Sequence, residues 1–399
     1  MDSLTDSSDL SLHRIGDEGL LLDAGRQRLY ALNACATFIW RQLTSGCSPD
    51  QASRSLSEHY ALSSASAASF VADALRQYET LGGEDAAAAH LTTGVTGDNA
   101  RFPRSSRQHG PSAAEVVRTY RLLDNVFRLH FGTAGLFDAI HPLLEPLRVV
   151  AGIEGTKVID LSIVPADAGV VVTADQQVIG EASDVATAAV AVRACLTQLA
   201  VANAGGFCVL HASALRRDGA ALLLPGEAGS GKSTLAAGLA GRGLERRFEM
   251  LCDDTTLLLG DPPQVRSLPS GLCIKRGAYP VLEKRFAGLR SMPEWCRPDG
   301  QWARYLVPGR DLRWAPDDAT SKVRWIIFPR YHPETGTALR PLARHEALAR
   351  LLRGAYFLSG KLDAVNLDRF IAWIASIDCF DLPLASLESA TALIDELCS

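Results

Sequence analysis

The fold class predicted by the 399-residue sequence is an α/β P-loop domain with a mixed sheet, preceded by a small α+β winged-helix domain. Three observations predict it. The run Gly226-Glu227-Ala228-Gly229-Ser230-Gly231-Lys232-Ser233-Thr234 fits G-x-x-x-x-G-K-[S/T]. It lies between an apolar run, 220–225, that reads as a buried strand and residues Leu235, Ala236, Leu239 and Ala240, which recur at helical spacing. Residues 84–114 are rich in small and polar residues and poor in core formers, and read as a linker between domains at 1–83 and 115–399. Finally, a short hairpin and three amphipathic helices precede that linker.

With 47% hydrophobic and 21% charged residues, the composition is that of an ordinary globular protein able to build real cores. A net charge of −5 gives no global reason for a nucleic-acid or anionic-membrane partner. Nine scattered cysteines without a C-x-x-C pair point to reduced thiols, a cytoplasmic setting and no zinc site. The N-terminus is acidic and polar, unlike a signal peptide. No apolar segment of about 18 residues lacks charge, and the longest, 186–204, contains Arg193 and reads as a core helix, so no membrane span is expected.

In the N-terminal domain, Leu20-Leu21-Leu22 and 28–32 flank a turn at Asp23-Ala24-Gly25 and read as a hairpin. Helices are predicted over 34–43, over 49–60 with Ser48 as cap and Pro49 first, and over 64–81. The last carries a stripe of Phe70, Val71, Ala74, Leu75, Tyr78 and Leu81 closed by Gly82-Gly83. This winged-helix pattern raises DNA binding, and charge decides against it. Residues 1–83 hold ten Asp/Glu against six Arg and no Lys, a net of −4, whereas DNA binding needs clustered cations. An acidic winged helix suits a peptide or protein partner.

The residues Leu21-Leu22-Asp23, Arg28, Tyr30, Leu32-Asn33, Ala36 and Ile39-Trp40, with helices ending before Gly-Gly, resemble the PqqD-type peptide chaperone, or RiPP precursor recognition element, over about residues 12–83. The resemblance implies capture of a precursor's leader peptide as an added strand on the hairpin edge, with Leu29, Tyr30, Leu32 and Trp40 as docking residues. A domain that only packs on its neighbour or dimerises is the alternative.

In the larger domain, short strands are predicted around Phe127–Phe131, 158–163, 170–172 and 177–179, then a strand over 207–215. Asp218-Gly219 makes a hairpin turn into the P-loop strand. In a P-loop, backbone amides and the helix N-terminus hold phosphates, Lys232 reaches the β- and γ-phosphates, and Ser233 ligates Mg²⁺. His211 stands fifteen residues before Gly226, and the pair Asp253-Asp254 lies beside a strand. Phosphoryl transfer needs one carboxylate near the metal and a base for the acceptor hydroxyl, and paired aspartates can divide those tasks.

This His, hairpin, P-loop and Asp-Asp arrangement resembles HPr kinase/phosphorylase, and more closely the HPr-kinase-related serine kinases found with peptide-modification genes. Pro269 to Gly277, Arg304-Tyr305-Leu306-Val307-Pro308 and Ile326 to Tyr331 are similar to runs in that subgroup, over about residues 115–395. The resemblance implies that Asp253 with His211 activates the acceptor and that Asp254 and Ser233 face Mg²⁺, with the division between the aspartates left open. The Glu-x-Arg-Gly-Leu signature of HPr kinases is missing. The corresponding stretch, Ser270 to Arg276, has no acid, which puts HPr as a substrate in doubt; Lys275, Arg276 and Arg304 instead offer cations for a phosphate or an acidic peptide. Together the two resemblances imply an ATP- (or GTP-) and Mg²⁺-dependent kinase of a serine or threonine in a precursor peptide of lasso type. Homo-oligomers occur in the family. A small-molecule kinase and a nucleotide-gated binding module are the alternatives.

Overall fold

The computed structural model describes residues 10–79, 89–90, 116–149, 157–241, 248–353, 355–357 and 362–399. The predicted helix end at 80–83 and all of the 84–114 linker except Ala89–His90 lie outside the described residues. The chain forms two compact units: Met1–Gly94 with Leu342–Phe357 and Lys361–Cys379, and Val95–Pro341 with Leu358–Gly360 and Phe380–Ser399.

In the first unit, Leu10–Ile15, Glu18–Asp23 and Arg28–Leu32 form an antiparallel meander, and Ala89–His90 adds to the third strand opposite Leu29 and Arg28. The strand Leu10–Ile15 was not anticipated. Helices Ala34–Thr44, Pro49–Tyr60 and Ser64–Glu79 follow. Asn33 caps the first, and Ser48 with Gln51 forms a capping box on the second, satisfying amides that a helix start leaves open. Leu21, Tyr30, Leu32, Ile39, Trp40, Leu56 and Tyr78 share one core. Phe70, placed in the apolar stripe by its spacing, is 45% exposed, because Ala67, Val71, Ala74 and Tyr78 form the buried stripe.

Successive strand residues face opposite sides. Leu20, Leu22 and Leu29 therefore point away from that core, yet each is fully buried. The cover comes from the far end of the sequence. Helix Arg344–Leu352 packs on the second and third strands, and helix Ala364–Ile374 on the first. Glu18 pairs with His345, His13 Nδ1 meets Asp368 Oδ1 at 2.6 Å, and the Gln27 amide donates to Leu362 O and accepts from Leu362 N.

The second unit contains a five-stranded sheet in sequence order, Val116–Leu122, Asn125–Phe131, Val158–Ala166, Gly169–Ala174 and Gln177–Ala182, with its second and third strands parallel. Helix Val185–Asn203 packs on it. Among the described residues this is the one helix long and apolar enough to cross a membrane, and most of it is buried inside the protein. A second sheet runs Glu249–Cys252, Ala212–Arg217, Ala220–Pro225, Thr320–Tyr331, Gln264–Arg266, Thr256–Leu259, Cys208–Leu210, with Asp378–Leu384 joining the long strand Thr320–Tyr331. Leu222, Leu224, Leu235, Ile327 and Leu382 lie in the core between this sheet and helices Lys232–Ala240 and Leu387–Leu397. A small sheet of Leu272–Lys275, Trp302–Leu306 and Trp295–Cys296 completes the unit.

The predicted hairpin is present: Ala212↔Pro225 through Arg217↔Ala220, closed by Asp218 and Gly219 at φ 51° and 82°. Two adjacent positive φ values are what a type I′ turn requires. The expected single strand over 207–215 is two strands broken at His211. Residues before the break pair with Thr256–Leu259, and residues after it with Ala220–Pro225 and Glu249–Cys252. The partner chain breaks opposite, between Cys252 and Thr256, so His211 and Asp253-Asp254 lie where two strands exchange partners.

Candidate active site

The strand Ala220–Pro225 runs into the loop 226–231, and helix Lys232–Ala240 begins there. Gly231 is its N-cap at φ 93°, a conformation that disfavours any side chain, and no side chain caps the helix. A Cβ on Gly226 would come 2.5 Å from Ser230 Oγ, which is itself buried without a hydrogen-bond partner among the described residues. Glu227, Ala228 and Gly229 are exposed, and Thr234 is half-buried in the first helical turn. An uncapped helix start behind a glycine loop is an anion-binding arrangement, since its first amides have no intrahelical partner.

Lys232 is 6% exposed, yet its Nζ reaches two groups across the strand exchange: His211 Nε2 at 3.0 Å and Asp254 Oδ1 at 3.3 Å. His211 Nδ1 donates to the Asp254 carbonyl at 3.2 Å, so the ring accepts from the ammonium at Nε2 and carries its proton on Nδ1. Burial and then the Lys232 charge lower the His211 pKa, outweighing the opposing pull of Asp254. Asp254 sits at φ 65°, an unusual backbone state for a residue with a side chain, and leaves its carboxylate half-exposed. Burial would raise its pKa, but Lys232 and His211 hold it below the ordinary carboxylate value.

Asp253 points the other way. It is 2% exposed and accepts from Ser213 Oγ, from Ser233 Oγ at 3.1 Å and from Cys273 N at 3.1 Å. Burial, with the neighbouring Asp254 charge second, pushes its pKa up to about 6. Ser213 escaped sequence reasoning; the available signal was a hydroxyl in the otherwise apolar Ala212–Leu215, two residues from His211. Among the described residues no group of three or more His, Cys, Asp or Glu side chains is arranged to hold a metal. Ser233 Oγ and the Asp253 carboxylate are nonetheless a hard-oxygen pair of the kind Mg²⁺ takes together with phosphate oxygens and water.

The three expected substrate cations separate. Arg276 is bidentate to Glu294, with its Nη2 2.9 Å from Oε2, and its guanidinium stacks over Trp302. Arg304 packs over Tyr279 and comes within 3.9 Å of Glu294. The hydrogen bonds from Arg276, with Tyr279 and Arg304 adding to them, pull the Glu294 pKa down to about 2. Lys275 alone has no ion pair among the described residues, and its charge is felt by His211.

The N-terminal sheet presents helices on both faces and backbone at its edges. Its residues 18–82 match the family model described as coenzyme PQQ synthesis protein D (PqqD). Residues 18–82 are a PqqD domain. In the PqqD domain, Leu29, Tyr30, Leu32 and Trp40 are 0%, 8%, 7% and 6% exposed, so the side chains expected to touch a leader form the core beneath the surface instead. No curated protein sequence matches the chain. Among solved structures it is similar to the Hpr(Ser) kinase/phosphatase from Coxiella burnetii, at 16% identity over 48% of this chain and 93% of that one, with a TM-score of 0.22. A TM-score of that size adds no weight to a function, and the site stands on its own geometry.

Proposed function

We propose that the chain is an ATP- and Mg²⁺-dependent kinase that phosphorylates a serine or threonine hydroxyl of a ribosomally made precursor peptide, of lasso type, brought in through its leader by the PqqD domain. The observation that carries this reading is the Lys232–His211–Asp254 triangle beside the uncapped P-loop helix, with Asp253 on Ser233. In this proposal, loop amides, the Ser230 hydroxyl and Lys232 hold the β- and γ-phosphates of ATP (or GTP). His211, neutral at pH 7, accepts from Lys232 and fixes where the ammonium points.

The aspartates take the reverse of the roles expected from the family. Asp253, buried on Ser233, is the metal-side carboxylate; Asp254, half-exposed, takes the acceptor proton. When Lys232 turns to phosphate, Asp254 loses the cation that depresses its pKa and becomes a better base. A divalent cation held by Ser233 and Asp253 supplies neutralisation of charge on the transferring phosphoryl group.

The PqqD domain supports recruitment of a peptide. On the third strand, Ala89–His90 covers Arg28 and Leu29, and among the described residues the backbone of 30–32 has no partner on that side. A leader added there as a strand would take its affinity from main-chain hydrogen bonds, with Leu29, Tyr30, Leu32 and Trp40 fixing the strand from below. Leader binding raises the effective concentration of a short acceptor segment up to about millimolar. Peptide docking is assigned to 1–83 and catalysis to the larger unit; nine cysteines outside any disulfide favour a cytoplasmic setting.

The test is intact-mass spectrometry of a leader-bearing lasso-type precursor peptide after incubation with enzyme, ATP and Mg²⁺. The expected result is a gain of about one phosphate mass, absent with Lys232→Ala and Asp253→Asn. ATP hydrolysis without peptide modification moves the acceptor to a small molecule, and neither reaction leaves a nucleotide-gated binding module.

A further inference from the structure

In the second sheet, Ala220–Pro225 and Thr320–Tyr331 are parallel neighbours, in register from Ala220↔Lys322 to Leu223↔Ile326. In α/β sheets, ligands bind outside the carboxyl ends of adjacent parallel strands. One of these ends is the P-loop. The other is Tyr331. Its backbone N–H donates to Ser230 O of the loop at 3.0 Å, and its Cβ lies 3.4 Å from where a Cβ on Gly231 would stand. Arg330 pairs with Asp381, and His332 N donates to Leu384 O, so the strand end is held from both sides of Tyr331. The side chain itself is 54% exposed, the largest exposure of any aromatic residue described.

We infer that Tyr331 is the stacking platform for the base of the nucleotide whose phosphates the loop holds. This deepens the kinase reading and rests on it. A planar ring more than half exposed, on a residue whose backbone is hydrogen-bonded to the loop, offers a π-surface beside the phosphates. Stacking accepts any base, so Tyr331 contributes affinity for ATP and GTP alike and does not choose between them.

The test is calorimetric titration of the full-length protein with Mg·ATP, Mg·GTP and Mg·tripolyphosphate, which has the phosphates and no base. Tyr331→Ala is expected to raise Kd for both nucleotides by roughly 5- to 150-fold, the span of one base–aromatic stack, and to leave tripolyphosphate unchanged. Tyr331→Trp is expected to keep wild-type affinity, which separates stacking from damage to the strand end. Equal weakening of nucleotide and tripolyphosphate would make the ring a prop for the loop and overturn the inference. Wild-type affinity for ATP in Tyr331→Ala, alongside lost affinity in Lys232→Ala, would overturn it while leaving the nucleotide reading intact. A wild-type protein that binds none of the three would end both.

Discussion

Ser233 Oγ donates to Asp253 at 3.1 Å, while Lys232, one residue earlier, meets Asp254 at 3.3 Å. Consecutive residues of the helix start thus engage consecutive aspartates, one buried and one open. The positive φ of Asp254 turns the two carboxylates apart. This division underlies the roles proposed for them and gives each its own experimental signature.

Asp253→Asn should abolish kinase activity and stabilise the fold above pH 6. Its pKa of about 6 lies above the ordinary 3.8, so the folded state holds the proton more tightly than the unfolded chain. Stability from that proton is complete below pH 4 and is lost as pH rises through 6. At 1.36 kcal/mol per pKa unit the loss is on the order of 3 kcal/mol. Asparagine carries no such loss. Thermal melts across pH 4–8 should show the variant gaining on wild type over pH 4–6 and then holding its lead; parallel curves would refute the buried charge.

Asp254→Asn should cut turnover by about 10²–10⁴, the usual contribution of a positioned base, with ATP affinity little changed. His211→Ala should lose roughly tenfold, one hydrogen bond to the ammonium. Because burial and Lys232 lower the His211 pKa, the wild-type rate should show no His211 titration between pH 6.5 and 8. A rate that tracks a protonation in that range and flattens in His211→Ala would contradict a neutral imidazole.

Lys275→Ala should raise KM for the peptide by roughly tenfold, one charge-assisted contact. Arg276→Ala should leave turnover near wild type, because Glu294 already takes its guanidinium. Steady-state kinetics on the two variants decides between them, and the opposite ranking would return Arg276 to the substrate.

The glycine loop, the Asp-Gly hairpin turn and the helix caps were legible because each depends on a few adjacent residues whose backbone demands are local. The junction at His211 was not. Its break comes from a change of strand partner some forty residues away, and Phe207–Leu215 carries no local stop signal. The opposite aim of the two aspartates was hidden for a related reason: adjacent identical residues differ only in the backbone angle that aims them. Arg276 and Arg304 read as free cations because Glu294, their shared partner, lies on another strand connection. The second face of the PqqD sheet was half-legible. Leu20-Leu21-Leu22 is a continuous apolar run rather than an alternation, which signals burial on both faces, but nothing nearby in sequence identifies the cover.

That cover makes deletion of residues 1–83 a poor test of leader docking. It would strip helices Arg344–Leu352 and Ala364–Ile374 of the sheet they pack on and expose Leu348, Leu367 and Phe370, all fully buried. A point change in the cover is cleaner. Leu348→Ala should cost about 2–5 kcal/mol of stability in the first unit, as buried leucine truncations do. Because the sheet it supports carries the proposed docking edge, leader affinity measured by fluorescence anisotropy should fall in step with urea stability. Turnover of a leaderless peptide should hold. Unchanged leader affinity in a destabilised variant would place docking elsewhere than this sheet, and loss on both substrates would remove the case for tethering.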